Sequence, residues 1–234
     1  MKKLICFDLD GTLTQHRSKL EKENIEVLDK LKEKYKLIMV GAGTVTRIHT
    51  QMDEYPIDIL GCYGMEESKM IDGKFTLLRR DKTSPDREYF LEKAEYLRKK
   101  YGYTEYKGNS VEFYESGMVT FSLLGSKAEV AEKIAFDPNR EKRKVLYPEV
   151  LELFSDYTVY IGGSSSFDFT EKKYNKYDAI MAYAEKNGYK KEEILYVGDD
   201  FGDGGGDSHV RLGGIDYVEI LDYKTLSEKL SFLF

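Results

Sequence analysis

Apolar residues follow two alternating patterns in the outer parts of the chain. Continuous apolar runs, which are typical of buried strands, predict strands at 2–7, 36–40, 57–62, 194–197 and 217–220. Between these runs, apolar residues recur every three or four positions, which predicts helices at 22–35, 44–52, 176–187 and 225–233. Strands that alternate with helices form parallel sheets, so we expect the two ends of the chain to build one α/β core.

The middle of the chain has a different pattern. It contains a long amphipathic helix at 87–101 and a second helical stretch that ends near Phe154. Short strands are expected in two antiparallel pairs: 111–114 with 118–124, and 157–161 with 167–170. This pattern predicts a compact α+β unit at residues 81–172, inserted into a parallel-sheet core formed by residues 1–80 and 173–234.

Composition excludes several classes of function. The net charge of −6 over 234 residues argues against sequence-independent nucleic-acid binding. No apolar run approaches the ~20 residues that span a bilayer, and the first strand lacks a signal-peptide pattern, so we expect a cytoplasmic protein that does not contact membranes. Cys6 and Cys62 lie in apolar runs and are interpreted as buried thiols. The three histidines are scattered, so any metal should be a hard cation held by carboxylates.

Two carboxylates, Asp8 and Asp10, directly follow the first strand. In open α/β sheets, reactive groups gather beyond the carboxyl ends of the strands, and Gly11 lets the backbone turn where a phosphate would approach. Asp8 could attack phosphorus to form an aspartyl-phosphate, while Asp10 exchanges a proton with the ester oxygen. The alternative is an Asp-Gly turn whose carboxylates bond only nearby backbone N–H groups.

Three further positions fit phosphoryl transfer. Asp199 follows the strand at 194–197, where its carboxylate could share a Mg²⁺ ion with Asp8. Lys176 begins a helix and could reach either a phosphate or Asp8. Thr44 follows the second strand, where its hydroxyl could contact phosphate or serve as an ordinary helix N-cap.

The run Asp8-Leu9-Asp10-Gly11-Thr12, together with Lys176 and Asp199, resembles the motifs of the haloacid dehalogenase superfamily. Arg17, the hairpin at 108–125 and the Ser166-Phe167-Asp168 run narrow the resemblance to its phosphomannomutase branch. That resemblance implies a Rossmann-like core with an inserted α+β cap, and a small phosphorylated metabolite as substrate. It leaves open a homodimer formed through the cap.

The resemblance also assigns roles to individual residues. It implies Asp8 as nucleophile, Asp10 as acid/base, and Lys176 as the third catalytic residue. The expected substrate-binding residues are Arg17, Gly43, Thr44, Lys133, Ser166 and Asp168. The expected Mg²⁺ ligands are Asp8, Asp10, Asp199 and Asp203. The superfamily pattern favours Asp203 as the supporting acid, whereas the phosphomannomutase pattern favours Asp207.

The chain differs from the phosphomannomutases at the cap residues that bind a second phosphate of the substrate in those enzymes. Where those enzymes carry cap arginines, it has Tyr114, Ser126 and Lys133, and only Lys133 keeps the charge. Arginine offers a bidentate fork for phosphate that tyrosine and serine cannot replace. The sequence therefore favours a Mg²⁺-dependent phosphatase over a hexose phosphomutase. A binding protein without activity is disfavoured, because it would have little use for a nucleophile.

Overall fold

A computed structural model describes residues 1–234 as two compact units, one formed by Met1–Arg80 with Tyr174–Phe234 and the other by Asp81–Lys173. The strands are β1 (Leu4–Phe7), β2 (Lys36–Val40), β3 (Asp58–Gly61), β4 (Glu66–Ile71), β5 (Lys74–Arg80), β6 (Val111–Phe113), β7 (Val119–Ser122), β8 (Tyr157–Tyr160), β9 (Ser166–Glu171), β10 (Ile194–Gly198) and β11 (Asp216–Glu219). The helices are α1 (Lys22–Lys32), α2 (Val45–Gln51), α3 (Arg87–Tyr101), α4 (Val130–Phe136), α5 (Glu141–Leu153), α6 (Lys176–Lys186), α7 (Ser208–Leu212) and α8 (Leu226–Lys229). None of these helices is long and apolar enough to cross a lipid bilayer.

The first unit is built on a seven-stranded sheet in the order β11-β10-β1-β2-β3-β4-β5. The strands from β11 to β3 are parallel, and β4 and β5 extend the sheet as an antiparallel hairpin. Ile5 and Phe7 of β1 pack into one hydrophobic cluster, whereas Leu4 and Cys6 pack into another on the opposite face. A parallel sheet is covered on both faces, which explains why β1 is apolar at every position.

The register of β1 with its two neighbours determines where the candidate site lies. β1 lies between β2 and β10, and Phe7 pairs with both Met39 and Val197. The three strands therefore end at one edge of the sheet. The N–H of Asp8 donates to the carbonyl of Val197 at 2.9 Å, which brings the Asp8 backbone beside the end of β10.

The second unit contains a four-stranded antiparallel sheet in the order β6-β7-β9-β8. Its core is rich in aromatic rings, with Phe90 of α3 packed against Phe154 and Phe169. The mixed, mainly parallel sheet and the separate antiparallel sheet confirm the predicted fold class.

The prediction of a helix over 225–233 is wrong in length, because the helix in the structure is shorter. Only Leu226–Lys229 is α-helical, and short 3₁₀ turns lie at 223–225 and 231–233. Leu226, Leu230 and Leu233 are nevertheless all buried in the cluster that contains Phe7. The spacing of these leucines in the sequence reflects their burial against the core. Short turns bury them equally well, so the spacing does not require a continuous helix.

Candidate active site

A buried group of polar side chains surrounds Asp8 at the end of β1. The ammonium of Lys176 donates to Asp8 Oδ1 at 2.5 Å, to Asp207 Oδ1 at 2.7 Å and to the Tyr196 hydroxyl at 3.1 Å. Tyr196 in turn donates to Asp207 Oδ1 at 2.6 Å. An ammonium has three N–H donors, so all three of Lys176 are used by the protein. The sequence predicts that Lys176 contacts either a phosphate or Asp8, and in the structure it contacts Asp8.

Burial and charge oppose each other in this group. Burial raises the pKa of Asp8 to about 6, although the Lys176 charge lowers it. Burial would also raise the pKa of Asp207, but the charge and hydrogen bond of Lys176 hold it below its ordinary value. The pKa of Lys176 is raised, because Asp207 and Asp8 outweigh the effect of its burial. Lys176 therefore keeps a proton and supports the ionised form of both acids.

Asp199 lies beside this group on the loop after β10. Its Oδ1 accepts a hydrogen bond from the Thr12 hydroxyl at 3.1 Å. Gly11 has a φ of +96°, and a Cβ atom there would overlap the Asp199 carboxylate, so glycine is required for both reasons. Burial, followed by the charges of Asp8 and Asp207, raises the pKa of Asp199 to about 9. The single positive charge of Lys176 thus does not compensate the negative charges of Asp8, Asp199 and Asp207.

The structure separates Asp203 from these acids. The Asp203 carboxylate is fully exposed, and its nearest ion-pair partner is Arg211 at 3.9 Å. Asp207 is fully buried instead, and its Oδ2 accepts the backbone N–H groups of Asp199 and Asp200 at 3.1 and 3.0 Å. Asp203 thus makes no contact with the other expected metal ligands in this structure, and its role as a metal ligand stays a prediction. The loop folds back on itself, which brings Asp207 beside Lys176 and the backbone of Asp199. The spacing in the sequence could not choose between Asp203 and Asp207 for this position.

Asp10 is held by one backbone N–H and two side chains from the first third of the chain. Its Oδ1 accepts from the backbone N–H of Arg17 at 2.8 Å and from Gln51 Nε2 at 2.6 Å. Both terminal nitrogens of Arg47 lie 3.3 Å from Oδ2. Burial alone would raise the pKa of Asp10, but Arg47 and these donors hold it below its ordinary value. Asp10 is therefore ionised at neutral pH.

Magnesium ligands are available here, although no three histidine, cysteine or acidic side chains form a preassembled metal cage. Mg²⁺ takes one or two carboxylates from the protein and keeps several waters. Asp8 and Asp199 offer two such carboxylates, and their repulsion shows an excess of negative charge that a divalent cation would relieve. The donor set fits Mg²⁺ without Asp203.

Comparison with known proteins identifies the family of the chain. A model of the haloacid dehalogenase-like hydrolase family matches residues 5–64 and 71–204. The chain belongs to this family. It is 25% identical to a phosphomannomutase of Schizosaccharomyces pombe over 98% of this chain and 90% of that protein. It is also 26% identical to a phosphomannomutase of Saccharomyces cerevisiae, over 97% of this chain and 88% of that protein.

A solved structure shares the fold of this haloacid dehalogenase-like chain. The N-terminally truncated, IMP-bound IMP-nucleotidase of Plasmodium falciparum matches with a TM-score of 0.67 over 99% of this chain and 68% of that one. The two sequences are 14% identical, so this likeness describes the fold alone.

Two other predicted substrate residues lie near Arg47 in the family's core unit. The Thr44 hydroxyl caps α2 by accepting the N–H of Arg47 at 3.2 Å, which is the ordinary capping contact. A Cβ atom added at Gly43 would overlap the Arg47 guanidinium. Arg17 contributes its backbone N–H to Asp10. Direct contacts of these residues with a phosphate stay predictions.

The remaining predicted substrate residues belong to the second unit. Asp168 Oδ1 accepts from the Thr120 hydroxyl at 2.7 Å, and the Ser166 hydroxyl donates to the carbonyl of Gly162 at 3.1 Å. Both lie on β9 of the antiparallel sheet. Lys133 is buried, and its ammonium donates to the carbonyl of Ser126 at 3.0 Å. Their roles in sugar binding stay predictions.

Sequence reasoning gave no role to four residues that contact the predicted site residues: Thr12, Arg47, Gln51 and Tyr196. Arg47 and Gln51 are four residues apart on α2, so the helix that follows β2 presents them on one face. That spacing was a usable signal. Tyr196 gave none, because a tyrosine within the apolar run of β10 reads as an ordinary core residue.

Proposed function

We propose that this chain is a Mg²⁺-dependent phosphatase that forms an aspartyl-phosphate on Asp8. The observation that carries the proposal is the buried contact between Asp8 and Lys176, whose donors are all used by the protein. Such an ammonium orients the nucleophile and keeps it ionised. A carboxylate with this support has little structural purpose, whereas nucleophilic catalysis requires it.

In the first step, Asp8 attacks phosphorus and the bond to the ester oxygen breaks. Asp10, which takes up a proton from solvent as the phosphate dianion binds beside it, donates that proton to the ester oxygen. In the second step, Asp10 takes a proton from water, the water oxygen attacks phosphorus, and Asp8 is released with inorganic phosphate. The ionised state of Asp10 suits this second role.

Mg²⁺ would be held by Asp8 and Asp199 and, as the resemblance implies, by the backbone of Asp10. When bound, it offsets the repulsion between a carboxylate and a phosphate dianion, which is roughly 8 kcal/mol at ~4 Å with an effective dielectric constant of ~20. Lys176 is already engaged with two acids, so it cannot supply this compensation alone.

A hexose phosphomutase is the second candidate, favoured by the identity to two fungal phosphomannomutases. A mutase must hold the second phosphate of a bisphosphorylated intermediate while that intermediate reorients in the site. Of the three positions where arginines are expected, Ser126 Oγ accepts the N–H of Asn109 and the Lys133 ammonium is bonded to the Ser126 carbonyl. These contacts support a weakened phosphate grip and hence the phosphatase.

We propose small phosphorylated sugars as the substrate class, with Ser166 and Asp168 contacting hydroxyls. Asp168→Ala should lower kcat/KM for a hexose phosphate and leave a small aryl phosphate nearly unchanged. Equal losses on both substrates would indicate a folding defect in the second unit and remove the support for a sugar site.

The test of the function measures both products from mannose 1-phosphate with Mg²⁺ and a hexose bisphosphate activator. We expect free phosphate to form faster than the 6-phosphate isomer, and to disappear in Asp8→Asn or in chelator. Rapid isomerisation with little free phosphate would favour the mutase. Full activity of Asp8→Asn on an aryl phosphate would refute the aspartyl-phosphate mechanism for either enzyme.

A further inference from the structure

Gln51 links Asp10 to Arg47 through a side-chain amide of fixed orientation. Its Nε2 donates to Asp10 Oδ1 at 2.6 Å, and its Oε1 accepts from an Arg47 terminal nitrogen at 2.9 Å. A guanidinium can only donate and an ionised carboxylate can only accept, so the amide cannot turn over without losing both bonds. In this orientation Nε2 also donates to the Thr14 hydroxyl at 3.1 Å.

The two oxygens of Asp10 are treated differently as a result. Oδ1 receives two short hydrogen bonds, one from the backbone of Arg17 and one from Gln51. Oδ2 receives only the longer 3.3 Å contacts of Arg47. Short bonds to ionised groups are the strong ones, so Oδ1 is fixed and Oδ2 is the oxygen that can exchange a proton.

We propose that Gln51, oriented by Arg47, is a positioning residue that fixes Asp10 so that Oδ2 carries the transferred proton. This inference rests on the proposed function, because it assigns Asp10 to proton transfer. It adds that the efficiency of this transfer is set by the face of α2 formed by Arg47 and Gln51, neither of which needs to touch the substrate.

Gly43 makes this arrangement possible. A Cβ atom at this position would overlap the Arg47 guanidinium, which is the flexible end of a long side chain. Gly43→Ala should therefore displace the guanidinium with little loss of stability. In doing so, it should remove the Arg47 N–H that donates to Gln51 Oε1 and orients the amide, without changing Gln51 itself.

A structural role for Gln51 would also follow from its bonds, since they join α2 to the loop that contains Asp10 and Thr14. Leaving-group dependence separates the two roles. A misplaced acid slows esters with poor leaving groups, which need the proton, more than esters with good ones. A general loss of structure slows both equally.

The experiment measures kcat/KM with Mg²⁺ for phenyl phosphate, a poor leaving group, and p-nitrophenyl phosphate, a good one. Gln51→Met keeps the length of the side chain but removes its hydrogen bonds. We expect a loss of at least tenfold for phenyl phosphate, which is part of the ~10²–10⁴-fold that acid–base catalysis supplies, and less than threefold for p-nitrophenyl phosphate. Gly43→Ala should show the same selectivity. Thr50→Ala, an exposed change on the same helix, is the matched control and should change neither value.

A double-mutant cycle identifies the residue through which Gln51 acts. With Asp10→Asn as the background, Gln51→Met should change kcat/KM for either substrate by less than twofold, because the group it positions is already gone. Equal losses on the two substrates, or full additivity with Asp10→Asn, would overturn the inference. Retention of activity in Asp8→Asn would instead overturn the proposed function, so the two failures are distinguishable.

Discussion

Replacing Lys176 with methionine tests whether the buried acids depend on one ammonium. The substitution keeps the length of the side chain but removes bonds to Asp8, Asp207 and Tyr196. Two of these bonds join buried opposite charges, and breaking a buried ion pair by removing one partner costs ~3–5 kcal/mol. This is a large part of the ~5–15 kcal/mol that stabilises a typical domain, so we expect the variant to be partly unfolded at mild denaturant concentrations.

The loss should depend on pH in a definite direction. Without the ammonium, burial and mutual repulsion act unopposed, so the pKa values of Asp8 and Asp207 rise in the folded variant. In the unfolded chain these acids have pKa values of ~3.9. The folded variant then binds more protons than its unfolded chain above that value, so its stability rises as the pH falls from 7.5 to 5. The deficit relative to the parent chain should shrink over this interval.

The assay is urea unfolding followed by circular dichroism at both pH values. Lys186→Met is a matched control on the same helix, since Lys186 pairs with Glu67 at 3.1 Å but its side chain is 58% exposed. The Glu67 side chain is buried but keeps Arg79 at 3.9 Å, so removing the exposed lysine should cost little, ~0–1 kcal/mol. Adding Asp8→Asn to Lys176→Met should restore part of the stability, because it removes one uncompensated charge. The reasoning is refuted if Lys176→Met costs no more than Lys186→Met, or if its deficit does not change with pH.

Three other outcomes follow from the structure. Asp137→Asn should destabilise the second unit by ~3–5 kcal/mol in urea unfolding, because it leaves the buried Arg143 guanidinium without its ion-pair partner at 2.8 Å. Since the Asp137 pKa is lowered in the folded chain, the parent should lose this contribution as the pH falls below ~4. In a phosphate-release assay, Asp203→Asn should stay within twofold of the parent while Asp199→Asn loses at least tenfold; similar losses would reinstate Asp203. Calorimetry in buffers of different ionisation enthalpy should show proton release on Mg²⁺ binding near pH 7, because Asp199 with a pKa of about 9 is protonated without a cation; no release in the parent chain would contradict that assignment.

The positions of Asp8 and Asp199 were predictable because they depend on strand order and little else. Both follow apolar runs that parallel pairing brings side by side, and the register of Phe7 with Val197 is the simplest one for such strands. Lys176 was predictable for a related reason, since it begins the helix after the inserted unit. Backbone topology sets these placements, and hydrophobic patterning reports topology well.

The choice between Asp203 and Asp207 was not predictable, because both lie in a glycine-rich loop without periodicity. The decision depends on hydrogen bonds across the loop, in which the N–H of Asp207 donates to the carbonyl of Asp200 at 2.9 Å. That contact turns the Asp207 side chain inward and leaves Asp203 in solvent. Loop conformations of this kind are set by local backbone pairing, to which sequence patterns are insensitive.

Charge balance joins the fold to the chemistry. Two buried acids, Asp8 and Asp207, and the partly buried Asp199 face the single ammonium of Lys176. Lys176 bonds to Asp8 and Asp207, so Asp199 has only the Thr12 hydroxyl and is neutral at pH 7. A divalent cation would restore the charge on Asp199 and balance the pocket, whereas a monovalent one would supply only half of that charge. The same excess of negative charge that makes the isolated pocket costly therefore favours the binding of Mg²⁺, and a bound Mg²⁺ would lower the repulsion that a phosphate meets there.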